Sequence, residues 1–175
     1  MEKRTIIFID AQALLKGAWK ACKKDFRVNH FNLIKDLSLN RDLIRVYMYD
    51  GIYPEEAIQF AEERRKKLAW ASEFWGRGIT VKLIDMRESG RGTYRQKGVD
   101  VRIASDMLTL AFRDAYDVAV LVSGDGDFGE VIDEIKGMGK RVEVAYYREG
   151  FSERLKESAD KIIYLQDLPS FKGCS

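Results

Sequence analysis

Six short apolar runs, separated by longer segments of helical period, constrain this chain more than any other feature of its sequence. Thr5 to Ile9, Leu43 to Tyr49, Ile79 to Ile84, Val118 to Val122, Val142 to Tyr146 and Ile162 to Leu165 are rich in β-branched residues and too short for helices, so they read as strands. Gln12 to Lys23, Phe31 to Leu37, Pro54 to Trp75, Val99 to Phe112, Phe128 to Met138 and Phe151 to Ser158 place apolar residues three and four apart and read as helices. Strands alternating with helices pair in parallel, because each right-handed crossover must lie on a face of the sheet and cover it. The expectation is an α/β chain: one three-layer α/β/α domain of Rossmann-like winding, with a mostly parallel central sheet of five to six strands. In such sheets the ligand crevice opens at the carboxyl ends of the strands, where the winding reverses.

Every strand exit on that edge carries aspartate: Asp10 after the first, Asp50 after the second, Asp85 after the third, and Asp125 and Asp127 in Ser123-Gly124-Asp125-Gly126-Asp127-Phe128 after the fourth. Aspartate also favours strand-to-helix turns, and Asp127 with Glu130 fits a capping box. Asp100 is a fifth acid. On a wheel of about 100° per residue it falls at the centre of the stripe formed by Ile103, Ala104, Met107, Leu110 and Ala111, where a carboxylate is costly without a cation, donor or proton. Asp106, about 120° away from Asp100, lies near Arg102 and Arg113 and reads as a structural ion-pair partner. If the fourth strand neighbours the first, Asp10, Asp100, Asp125 and Asp127 converge. Oxygen-only ligands suit Mg²⁺ or Mn²⁺, ions that also bind substrate phosphates.

Competing motifs fail on their chemistry. Gly124, Gly126 and Gly129 spell a dinucleotide fingerprint, but Asp125 and Asp127 would face the pyrophosphate, and the motif follows the fourth strand. An EF-hand would need a bidentate Glu where Lys136 stands, and a haloacid-dehalogenase-type phosphatase would need aspartate at Gln12. No Walker loop occurs, and the lone His30 has no partner for a nucleophile-base pair.

Length suits one domain, expected over residues 1–168 with a short tail over 169–175, and 46% hydrophobic against 33% charged residues excludes a disordered chain. The start is charged and its apolar run too short for a leader or a membrane span, so the expected location is the cytoplasm, with no membrane partner. Cys22 in a helix and Cys174 in the tail assemble neither a zinc cluster nor a disulfide framework.

Three segments, Ile7-Phe8-Ile9-Asp10, Lys97-Gly98-Val99-Asp100-Val101 and Ser123-Gly124-Asp125-Gly126-Asp127-Phe128, resemble the NYN family, also called LabA-like, of PIN-like domains. The resemblance spans the first strand through the fifth. It implies a PIN-like fold and a metal-dependent ribonuclease that leaves a 5′-phosphate and a 3′-hydroxyl, with Asp10, Asp100, Asp125 and Asp127 as the matching acids. Relatives often carry an acid at the place of Asp106 as well. The first motif departs from the family: it commonly continues with Gly and, three residues after the Asp, with Asn, whereas this chain reads Asp10-Ala11-Gln12-Ala13. Gln12 is then a candidate substitute, and a non-catalytic RNA-binding or protein-interaction module on the same scaffold stands as the alternative.

Ser123 is placed to hold an aspartate or a metal-bound water, and Lys97 to meet the attacked phosphate. The segment Met86 to Gly98 sets Arg87, Arg91, Arg95 and Lys97 around Tyr94, combining phosphate contacts with a base-stacking ring, as a channel for single-stranded RNA would. Lys16, Lys20, Lys23, Lys24 and Arg27 make a second basic face. Trp70, Phe74 and Trp75 suit core or a contact between copies in a homodimer.

Overall fold

β1 (Arg4–Asp10) occupies the middle of the sheet because its side chains are apolar on both faces. The computed structural model describes residues 3–38 and 41–174, so the expected ends at residues 1 and 175 lie outside the described residues. After β1 come α1 (Ala11–Ala21), α2 (His30–Ser38), β2 (Asp42–Ile52), α3 (Ala61–Ser72) and β3 (Ile79–Asp85). A small hairpin of β4 (Arg87–Gly90) and β5 (Thr93–Arg95) precedes α4 (Val99–Phe112), β6 (Val118–Val122), α5 (Phe128–Gly137), β7 (Arg141–Tyr146), α6 (Glu153–Ser158) and β8 (Lys161–Tyr164).

The main sheet has six strands in the order β3-β2-β1-β6-β7-β8, all parallel. Winding runs outward from β1 through β2 to β3, then restarts beside β1 at β6, so the reversal lies between β1 and β6. Alternation along each strand feeds two cores. Ile7, Ile9, Val118, Val120 and Val122 face Leu14 and Ala18 of α1 and Leu33, Ile34 and Leu37 of α2. Ile6, Phe8, Ala119 and Leu121 face Val99, Ile103, Met107 and Ala111 of α4 with Phe128, Ile132 and Ile135 of α5. The three-layer α/β/α expectation holds, with every strand of the central sheet parallel.

Local details correct or add to the expectations. The helix expected from Pro54 shrinks to α3, because Tyr53 and Phe60 stack with ring centroids 4.1 Å apart and Arg64 donates to the Tyr53 carbonyl, fixing a turn ahead of the helix. The basic loop Met86 to Gly98 contains the hairpin β4-β5, whose tip puts Arg91, Gly90 and Gly92 at positive φ. The chain after residue 168 packs back onto the fold: Phe171 and Cys174 are each 2% exposed, with the Phe171 ring 5.2 Å from that of Phe26. Cys22 and Cys174, read as unpaired, form a disulfide joining the end of α1 to this returning segment. Cys22 is the C-cap of α1 rather than part of the helix. Among the described residues no helix is long and apolar enough to cross a membrane.

Candidate functional site

Asp10 ends β1 and starts α1 at once: its Oδ1 accepts a hydrogen bond from the Ala13 N–H at 2.9 Å, the N-cap geometry. The carboxylate is only 7% exposed. Burial, followed by the charges of Asp100 and Asp50, outweighs the hydrogen bonds from the Ala13 and Gln12 backbone and pushes its pKa up to about 6. Asp100, in the first turn of α4, is likewise raised, by burial and then by Asp125 and Asp127.

Asp125 follows β6 in a turn tied by its neighbours. Its N–H donates to Ser123 Oγ at 3.2 Å, and its Oδ1 accepts from the Asp127 N–H at 3.0 Å. Asp127 makes no side-chain cap with α5, so the capping box expected with Glu130 does not form. These acids border a cavity of about 420 Å³ between the carboxyl end of the sheet, α1 and the turn after β7, with Asp10, Asp100 and Asp125 in its lining and Asp127 just beyond. Asp100 is not buried under its helix stripe as its wheel position suggests; Val99, Ile103, Met107 and Ala111 take that place, leaving Asp100 at the cavity's mouth. The carboxylates ring this opening without closing on one point: among the described residues, no three His, Cys, Asp or Glu side chains are gathered tightly enough to hold an ion outright.

The other acids singled out in the sequence are occupied elsewhere. Asp50, 4% exposed, accepts from Lys67 Nζ at 2.5 Å. Asp85 lies 3.5 Å from Arg64. Asp106 does not pair with Arg113; it accepts from Lys82 at 2.6 Å, from the Tyr49 hydroxyl at 2.8 Å and from Arg102 at 3.3 Å, tying α4 to β2 and β3. Burial opposes ionisation there, but the Lys82 ammonium and Tyr49 hydroxyl hold Asp106 below the usual carboxylate range. These three contacts occupy its carboxylate.

Gln12 lines the cavity and accepts from Lys16 Nζ at 2.8 Å. Of the segment read as an RNA channel, only Gln96 reaches the cavity lining. Arg87, Arg91, Arg95 and Lys97 are exposed outside it, and the Tyr94 ring is edge-on to Tyr53 and Phe60, 5.6 and 5.7 Å away. Phe74 is core, Trp70 packs partly against it, and Trp75 is 75% exposed.

Sequence reasoning missed the tyrosines that shape the cavity. Tyr146 donates to the Ala13 carbonyl at 3.0 Å and Tyr147 to the Leu14 carbonyl at 2.9 Å, bolting β7 to the first turns of α1. Burial, then Asp10 and Asp125, raise the Tyr146 hydroxyl. A Cβ on Gly17 would strike the Tyr147 ring and one on Gly124 the Tyr146 ring. Ser152 lies against Gly126 and Arg154 against Gly129, so the G-x-G-x-x-G spacing here serves the close approach of the segment after β7. The one signal for the tyrosines was their position at the exit of the fifth strand.

The sequence pattern of the NYN domain matches residues 4–166. The low amplitude and bright protein LabA of Synechococcus elongatus is 24% identical over 135 residues, which cover 74% of this chain and 67% of that protein. The crystal structure of a protein of unknown function from Vibrio parahaemolyticus superposes with a TM-score of 0.68 at 21% identity, covering 95% of this chain and 94% of that one, a likeness of fold.

Proposed function

Because the chain belongs to the NYN domain family, we propose that it is a divalent-metal-dependent ribonuclease acting on single-stranded RNA, with Asp10, Asp100, Asp125 and Asp127 holding Mg²⁺ or Mn²⁺. The observation that carries this reading is Asp10: a buried carboxylate whose charged neighbours are further carboxylates, with no lysine or arginine on it among the described residues. A group so placed is destabilising as an anion unless a cation joins it. The donor set fits a hard ion, since every candidate ligand is a carboxylate oxygen. When bound, two such ions would offset this crowded charge and polarise the phosphodiester for attack by water.

The chain's own residues then do the positioning. The Ala13 N–H fixes Asp10 Oδ1 where the residue lines the cavity. Ser123 and the Asp127 N–H hold the turn that presents Asp125. Gln12 supplies the polar group of the altered first motif, and the exposed arginines of the β4-β5 hairpin, with Lys97, flank the approach as outer phosphate contacts. We place the activity in the cytoplasm, where RNA is at hand; the exposed Trp75 marks the face on which a second copy would pack.

The test is labelled single-stranded RNA with Mn²⁺ or Mg²⁺, with and without EDTA, for the purified protein and for Asp125→Asn. Cleavage that needs the metal and disappears in the variant is expected. RNA binding with no metal-dependent cleavage would instead establish the non-catalytic module.

A further inference from the structure

We propose that Lys16 and Lys20 form a phosphate-holding wall along α1, on which an RNA strand continues beyond the acid cluster; this rests on the ribonuclease reading above. Both lysines line the same cavity as Asp10, Asp100, Asp125 and Glu149. They stand four residues apart on one helix face, about 6 Å along the axis, the scale of one nucleotide step.

Neither lysine has a carboxylate within salt-bridge distance among the described residues. Among the described residues, the one hydrogen-bond partner of Lys16 is the neutral Gln12 amide oxygen. The lysines that neutralise acids near the strand ends are different ones, Lys67 on Asp50 and Lys82 on Asp106. Cations lining a cavity yet unclaimed by its acids are free for an anion from outside, and a polyanion can give one phosphate to the acid cluster's ions and its next ones to Lys16 and Lys20.

Two further observations favour α1 as the track. Trp19, beside these lysines on the same helix, is 78% exposed, whereas the Tyr94 ring of the β4-β5 hairpin is engaged with Tyr53 and Phe60. A free indole next to phosphate contacts is what sequence-tolerant stacking of bases requires. The wall is also rigid, because Gly17 between the two lysines packs without a side chain against Tyr147, and Cys22 anchors the helix end.

The experiment measures fluorescence anisotropy of a labelled single-stranded RNA against salt at fixed Mn²⁺, in an Asp125→Asn background that keeps the RNA intact. Lys16→Ala with Lys20→Ala is expected to flatten the slope of log affinity on log salt by about 1.4, two phosphate contacts at ~0.7 each on a single strand. Trp19→Ala is expected to weaken binding at least about fivefold with the slope unchanged. Arg65→Ala with Lys66→Ala, which removes two charges from the outer face of α3, should leave both unchanged. An unaltered slope in the Lys16/Lys20 variant overturns the track while metal-dependent cleavage by the parent protein still supports the nuclease. A lysine-dependent slope in a protein that never cleaves supports the track and overturns the nuclease.

Discussion

Asp10→Asn is expected to stabilise the metal-free protein at pH 8 by about 3 kcal/mol relative to the parent while cutting RNA cleavage by more than the roughly 10–100-fold that loss of an outer partner of a metal ligand costs. Asn keeps the cap, because its amide oxygen can accept from the Ala13 N–H as Oδ1 does now. What it removes is a buried charge. The Asp10 pKa rises from 3.8 to about 6 on folding, so between those values the folded protein binds the extra proton and stability falls as pH increases. Below about pH 4 the group costs nothing; above about pH 6 the whole penalty is present and stays constant. Two pH units correspond to about 3 kcal/mol, and with the side chain this buried little of that is lost to solvent screening. Urea denaturation of both proteins in EDTA at pH 4 and pH 8 reads the effect as a gap that opens with pH. A gap of the same size at both pH values would show that the Asp10 carboxylate is not strained by its surroundings. Added Mn²⁺ should stabilise the parent and close the gap, since the cation compensates the buried charge that the variant lacks.

Opening the Cys22–Cys174 disulfide is expected to have the largest effect on stability of any single covalent change. The bond spans 152 residues, and the chain-entropy account gives about 5 kcal/mol for a loop of that length, with typical measured effects of about 2–4 kcal/mol. Its position adds to this. The bond holds the returning C-terminal segment over the end of α1, where the Lys23 N–H donates to the Cys174 carbonyl at 3.0 Å and Phe171 lies 5.7 Å from the Tyr147 ring. Once it is open, that segment peels more easily and uncovers Phe171. For a chain of this size the loss corresponds to a fall in Tm of about 10 °C. Thermal melts of the protein with and without a dithiol, and of Cys22→Ser with Cys174→Ser, measure it; equal melting temperatures would show that packing alone secures the segment. In a reducing cytoplasm, exchange with dithiols removes this contribution, so the fold there rests on its two cores.

Much of the fold was legible because its signals are local. Strand runs such as Val118 to Val122 carry β-branched residues buried on both faces, and the helices between them have a 3.6-residue period, so the parallel six-stranded sheet follows from pattern and handedness. Asp10 and Asp125 were legible for the same reason, since strand exits on one edge share a crevice, whereas Asp100 was singled out by its place in the first turn of a helix. What stayed hidden depends on distance in sequence or on neighbours. Cys22 and Cys174 carry no local mark of their pairing. The turn before α3 comes from Tyr53 stacking on Phe60, and Asp127 gives no side-chain cap because its backbone is already helical, at φ −63° and ψ −21°, rather than in the extended geometry of an N-cap. Lys16 and Lys20 looked like any basic helix surface until the turn after β7 was seen to close the cavity against them.

The central place of β1 also sets when the acid site can exist during synthesis. β1 emerges first, but its second edge pairs with β6, where Thr5 lies opposite Val118, and Asp125 leaves the ribosome later still. Until then the chain can build only β1 on β2 and β2 on β3, with one flank of the middle strand open and Asp10 facing no Asp125. A nascent or truncated chain therefore holds no assembled site. Contacts this far apart form late because closing a long loop costs entropy before any contact rewards it. The most distant pairing in the sheet is therefore the one that brings Asp10 and Asp125 to a single cavity.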